Sequence, residues 1–107
     1  MRKKHWWILP VLAILVVLTL IALDERLILR TYTVASPKLT AEVRLAVVTD
    51  FHSSDNADDV AAMVASCAPD AVLLVGDLFD DDTQNRPTER TLSLMRQLSA
   101  QYPCYYV

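Results

Sequence analysis

A chain of 107 residues with 13 acidic and 10 basic side chains, formal net charge −3, has room for one small domain at most. Setting aside Arg2, Lys3 and Lys4 leaves seven basic residues against thirteen acidic ones. That balance excludes the basic stripe of a nucleic-acid-binding patch and suits clustered aspartates around divalent metal. Two cysteines, Cys67 and Cys104, with neither C-x-x-C nor zinc-ligand spacing, exclude a cysteine-built metal site.

In chain order, Trp6 to Leu23 is an uncharged run of 18 residues in which Thr19 is the one polar side chain. As a helix it would be about 27 Å long, close to the roughly 30 Å of hydrocarbon in a bilayer. A buried core helix would carry a polar face, and none is present. A cleaved secretory peptide would have a shorter apolar core and a small-residue cleavage site, for which Leu20 and Ala22 are poor. The run is therefore predicted to be an uncleaved transmembrane signal anchor, with Trp6 and Trp7 at the interface. Arg2, Lys3 and Lys4 precede it, and Arg26, Arg30 and Lys38 follow, so the basic tally is level. The tight amino-terminal cluster favours a single-pass protein of the cell membrane, its amino terminus cytoplasmic and the remaining domain outside. The predicted divisions are 1–28 for the anchor and its flanks, 29–42 for a linker and 43–107 for the domain.

Within the linker, Thr31 to Val34 reads as a β-prone edge strand that turns through Pro37 to Thr40 and pairs with the next strand. Val43 to Thr49 is apolar on both faces apart from Arg44, the pattern of a parallel strand covered by helices on both sides. Asn56 is the predicted cap of a helix with Asp58 and Asp59 in its first turn and Val60, Met63, Val64 and Cys67 at helical spacing, ended by Pro69. Ala71 to Val75 is a second apolar strand. Pro87 opens a helix with the stripe Leu92, Leu94, Met95 and Leu98, and Pro103 to Val107 starts a third strand. The order β, α, β, α, β makes an α/β fold, and the crossovers are long enough for parallel connections. Cys67 and Cys104 read as small buried hydrophobes, with a disulfide open if the domain lies outside.

Two strands aimed alike would bring together the acidic clusters at their carboxyl ends, Asp50-Phe51-His52 and Gly76-Asp77-Leu78-Phe79-Asp80. Asp50 and His52 are one residue apart, so an extended strand exit would send both side chains the same way and Phe51 back into the core. Oxygen plus nitrogen ligation suits Zn, Mn, Fe or a similar metal rather than Ca. Gly76 is the sole glycine, where average usage gives about seven. A lone glycine at a strand mouth implies a positive φ or a close backbone approach, and Asp77 directly after it can reach the space of Asp50 and His52. Asp80 is better placed as a hydrogen-bond partner of the ligands than as a ligand. Asp81 and Asp82 read as a solvated loop.

D-x-H at one strand end, followed about 25 residues later by G-D-x-x-D at the next, resembles the calcineurin-like metallophosphoesterase superfamily. The likeness runs from Arg44 to Val107 and is densest from Ala68 to Asp77. The apolar helix and the Tyr32 to Lys38 lead-in resemble its membrane-anchored bacterial members. The resemblance implies a metal-dependent hydrolase of phosphomonoesters or phosphodiesters with two divalent ions, Mn, Fe, Zn, Ni or Mg. The position matching Asp77 would bridge both ions, those matching Asp50 and His52 would bind the first, and that matching Asp80 would orient its neighbours. Water activated by the ions would attack phosphorus in line. The family's G-N-H-(D/E) motif, with its catalytic histidine, and its later histidines have no counterpart here, because the chain's other histidine is His5. They are expected beyond Val107, so the sequence reads as the amino-terminal part of a domain with little hydrolase activity of its own.

The alternative is a non-catalytic membrane-anchored protein keeping a residual metal half-site for weak binding or interaction. Asp80 to Thr83 does not fit D-x-D-x-T, nor does it have the glycine and terminal glutamate of a calcium loop. No phosphate-binding G-x-x-x-x-G-K, nucleophile-elbow G-x-S-x-G or C-x-x-C occurs.

Overall fold

The structure, a computed structural model, describes residues 5–24 and 26–107. The Arg2, Lys3 and Lys4 cluster lies outside the described residues, as does Glu25.

Helix α1 runs Ile8–Ala22, 15 residues against the 18 predicted. Pro10 sets the starting point. It has no N–H to return to the Trp6 carbonyl, so the first i→i−4 bond is Val11 N to Trp7 O at 3.3 Å, and His5 to Trp7 form a turn. At the other end, Leu23 N donates to Thr19 O and Asp24 N to Ile21 O, a tightened last turn before the Asp24–Arg26 ion pair. No residue of α1 is buried. Fifteen residues rise about 22 Å, short of the roughly 30 Å hydrocarbon layer. Among the described residues no helix is long and apolar enough to cross a membrane, which corrects the predicted span. Residues 26–36 form neither helix nor strand, so the predicted edge strand at Thr31 to Val34 is not formed. Among the described residues no neighbouring strand offers them a ladder.

The domain begins with β1 (Leu45–Val48), then α2 (Ala57–Ser66), β2 (Ala71–Leu74), α3 (Thr88–Ser99) and β3 (Cys104–Tyr106). The three strands form one parallel sheet in the order β1-β2-β3. Its register is set at the amino ends by a reciprocal clasp: Arg44 N donates to Asp70 Oδ2 at 2.7 Å, and Asp70 N donates to Arg44 O at 2.8 Å. Leu45 then stands opposite Ala71, and Val48 opposite Leu74. The clasp matters for function because a slip of one residue would send every strand side chain to the opposite face and misalign the loops that follow.

Val72 and Leu74 are buried in one core with Val60, Ala61 and Val64 of α2 and Leu94 and Leu98 of α3, and Ala46, Val48 and Cys104 pack against it. Both helices thus serve the same sheet face. Leu45 and Val47 on the other face are 52% and 60% exposed. The predicted cover on both faces is therefore found on one among the described residues. An all-apolar strand reports that both faces tolerate burial, and it does not by itself supply a second layer.

Helix α2 carries Asp58 and Asp59 in its first turn as predicted, where the helix dipole favours anions. Asn56 takes the cap position but makes no side-chain cap bond, and its Oδ1 is buried with no hydrogen-bond partner. The helix stops at Ser66, three residues before Pro69, and Ala68 takes a left-handed φ of 46°. Pro87 caps α3 with an extended backbone and the helix starts one residue later than predicted. Cys67 and Cys104 are free thiols.

Candidate metal centre

The site lies beyond the carboxyl ends of β1 and β2, where parallel α/β sheets place their ligands. Past the last paired residues the two chains stay in step. Val75 N donates to Val48 O at 2.9 Å, Asp50 N to Gly76 O at 3.1 Å, His52 N to Asp77 O at 3.0 Å and Ser53 N to Leu78 O at 2.9 Å. Each loop is anchored by a buried apolar side chain, Phe51 at 5% exposure and Leu78 at 2%. With Phe51 held inside, Asp50 and His52 on either side of it face outward.

They do so by a different route from the predicted extended exit. Asp50, His52, Ser53 and Asp77 have positive φ of 56°, 48°, 48° and 49°, and Gly76 one of 61°. Non-glycine residues with left-handed backbone are uncommon, and a run of them persists only where surrounding contacts over-determine it, chiefly at functional sites. Asparagine and aspartate tolerate that region better than most, which suits Asp50 and Asp77. A Cβ at Gly76 would meet Thr49 Oγ1 at an ordinary 3.8 Å. Of the two reasons considered for the lone glycine, the positive φ is the one the structure supplies.

Asp50, His52 and Asp77 each offer a ligand atom within 4.8 Å of the others. His52 Nε2 lies 3.9 Å from Asp50 Oδ1, and its Nδ1 lies 3.6 Å from Asp80 Oδ2. The imidazole therefore stands between two carboxylates, one on each nitrogen. Asp50 and Asp77 are exposed and His52 half-buried, so the group opens to solvent. An imidazole nitrogen and two carboxylates at this spacing fit a first-row divalent ion, which would also offset the repulsion among Asp50, Asp77 and Asp80. Thr49 Oγ1 donates to Asp50 Oδ2 at 3.0 Å, fixing one of its oxygens.

Asp80 is set apart from the three by its own loop. Its Oδ1 accepts the Asp82 N–H at 2.8 Å, and its Oδ2 faces both His52 Nδ1 and, at 4.0 Å, Arg86 Nε. Asp82 is fully outside, where the Asn85 side-chain amide and backbone N–H hold its carboxyl below the usual range. Asp81 is likewise exposed. A shallow depression of about 310 Å³ lined by Ser54, Asp58, Glu89 and Arg90 lies at the start of α2 and α3, and it includes none of Asp50, His52 and Asp77.

Four residues around the site were not singled out in the sequence. Arg86 Nη1 reaches the His52 carbonyl, and Arg90 Nη1 the Ser53 carbonyl, each at 3.4 Å. Ser53 and Thr91 are fully buried and bonded to each other at 2.9 Å. Thr91 precedes Leu94 and Leu98 at helical spacing, so a threonine on an apolar stripe was the available signal. Ser53 and the arginines gave none, because their contacts depend on how α3 docks.

Residues 43–107 match the family model for calcineurin-like phosphoesterases, from just before β1 to the end of β3. No curated protein and no solved structure gives a significant match. With more than half of its length matched, and with D-x-H and G-D-x-x-D brought together at adjacent strand ends, the chain belongs to the calcineurin-like phosphoesterase family.

Proposed function

We propose that this chain carries the first part of a two-metal phosphoesterase site, in which Asp50, His52 and Asp77 would hold one divalent ion and Asp77 would also serve the other. The observation behind the reading is the convergence of the three ligand atoms within 4.8 Å on family-matched strand ends. His52 would present Nε2 to the ion on the Asp50 side and keep Nδ1–H toward Asp80, so that Asp80 fixes the ring's orientation. Phe51 and Leu78 close the inner side to water and leave the outer side open to a phosphomonoester or phosphodiester. When bound, divalent ions supply positive charge to the phosphoryl oxygens and make water at the site a better nucleophile. Mn, Fe, Zn, Ni and Mg all suit this donor set.

The other histidine, His5, precedes α1, so no second imidazole from the β1 and β2 loops is at hand to assist a leaving group. The 107-residue chain is therefore expected to bind metal and to hydrolyse phosphoesters feebly. Titration of the full chain in detergent with Mn should give saturable binding, weakened at least about 10–100-fold in Asp77→Asn, the loss typical of damage even outside the ligand shell. Equal affinity in the two proteins would sink the assignment, and brisk metal-dependent turnover of a generic phosphodiester would refute the low-activity reading.

The same proposal sets α1 against lipid. Helix α1 is apolar all round and exposed on every side, with Trp6 and Trp7 at its start, and Thr19 turns its hydroxyl onto the Leu15 carbonyl at 2.8 Å. Such a helix needs an apolar partner to cover it, and lipid is one. The full chain should float with phospholipid vesicles in a density gradient. A variant with Leu12, Leu15 and Leu18 all changed to Ser should stay at the bottom, and flotation unchanged by those substitutions would contradict the attachment.

A further inference from the structure

We infer that Ser53 and Thr91 are positioning residues that lock the metal-binding loop after β1 onto the one after β2. The inference rests on the metal-site reading above and deepens it. Both side chains are completely buried, yet neither belongs to the apolar core by chemistry. Thr91 Oγ1 donates to the Leu78 carbonyl at 2.8 Å. A hydroxyl has one proton, so in the 2.9 Å contact between Ser53 Oγ and Thr91 Oγ1 the serine must be the donor. The result is a directed chain, Ser53 O–H to Thr91 Oγ1, then Thr91 O–H to Leu78 O.

That chain joins three elements at one point. Ser53 follows His52, Leu78 follows Asp77, and Thr91 lies on the first turns of α3. Leu78 O also accepts the Ser53 N–H at 2.9 Å, so its carbonyl is gripped by two donors. Ser53 itself has left-handed backbone, as do His52 just before it and Asp77 just before Leu78, and that conformation would relax without an external hold. Arg90 adds a contact from the same helix to the Ser53 carbonyl. Among the described residues the Thr91 hydroxyl bonds Ser53 and Leu78 and not His52 or Asp77, so it would act on the ligands only through the loops.

The test is Thr91→Val, which keeps the shape and removes the hydroxyl, beside Thr91→Ser, which restores it. Two measurements on the full chain in detergent separate the brace from the metal site. Without metal, hydrogen exchange of the His52 and Ser53 amides should speed up about tenfold or more in Thr91→Val relative to the Leu73 amide in β2, and return toward wild type in Thr91→Ser. With Mn, the affinity of Thr91→Val should fall about tenfold, the lower end of what loss of an outer partner costs. Val64→Ala serves as the control for a merely weakened fold and should leave both readouts in place. Unchanged amide exchange in Thr91→Val overturns the inference, as does an equal loss of Mn affinity in Val64→Ala. Failure of the wild-type chain to bind Mn would overturn the metal-site reading, and the exchange data would still decide whether the two hydroxyls hold the loops together.

Discussion

Replacing Gly76 with alanine separates the two explanations for the chain's sole glycine. The added Cβ would sit 3.8 Å from Thr49 Oγ1, ordinary van der Waals contact, so no steric penalty is expected. What remains is the backbone, held at φ +61°, and an L residue with a Cβ pays about 1–2 kcal/mol there. Had φ been negative, the same substitution would stabilise by about 0.4–1 kcal/mol through the unfolded chain. The sign of the effect is therefore diagnostic. With a urea dependence of about 1 kcal/mol per molar for a domain this small, the midpoint should fall by about 1–2 M. Gly76→Asn should fall less, because asparagine visits the left-handed region more readily. Pulse proteolysis of the full chain across a urea series reads residues 43–107 without interference from Trp6 and Trp7, which precede α1. A gain in stability, or equal losses for alanine and asparagine, would refute the reasoning.

Metal should protect the domain in the same assay. With Mn at a hundred times its dissociation constant, a single site on the folded state adds about 2.7 kcal/mol, and no shift in the urea midpoint would count against binding to the native fold. The Cys104 thiol provides a pH dependence. Burial pushes it up from its ordinary value of 9.0, so on raising the pH the unfolded chain loses that proton first. Its contribution is intact below about pH 9 and is lost as the pH climbs toward the folded value. The wild type should therefore lose stability faster than Cys104→Ala above that pH, and parallel profiles would show that the thiol is not desolvated.

The parallel sheet and its two crossover helices were legible because β1 and β2 are short apolar runs, the second bracketed by Pro69 and Gly76, and because Val60, Val64, Leu94 and Leu98 recur at helical spacing. Asp50, His52 and Asp77 could be placed near one another from the same two strands, since parallel neighbours deliver their loops to one end. The backbone by which they meet could not. Left-handed φ at His52 and Ser53 is imposed by bonds to Asp77 and Leu78, more than twenty residues away, and neither residue type prefers that region enough to announce it. The start of α1 was readable in principle from Pro10, whose missing N–H cuts off Trp6, but counting apolar residues alone overlooked it. Asn56 shows the limit of local rules, with the right residue in the cap position and no cap bond.

The two loops hold their shape through a balance that Asp77→Asn can expose. Left-handed backbone at Asp50, His52, Ser53 and Asp77 costs about 1–2 kcal/mol each, or roughly 4–8 in all. Three cross-loop backbone bonds and the two hydroxyl bonds of Ser53 and Thr91 return about 0.5–1.5 kcal/mol each, or roughly 2.5–7.5. Strain and bonding nearly cancel, and burial of Phe51 and Leu78 tips the loops toward the observed form before any ion arrives. The ion then has little backbone left to reorganise, and its main task is to relieve repulsion between carboxylates. Asparagine at position 77 keeps the left-handed backbone and the side-chain shape while removing one of those charges. Without metal, Asp77→Asn should therefore unfold at a higher urea concentration than the wild type, and with Mn the order should reverse. A variant less stable than wild type in both conditions would mean that Asp77 is held by structure rather than by the demands of a bound cation.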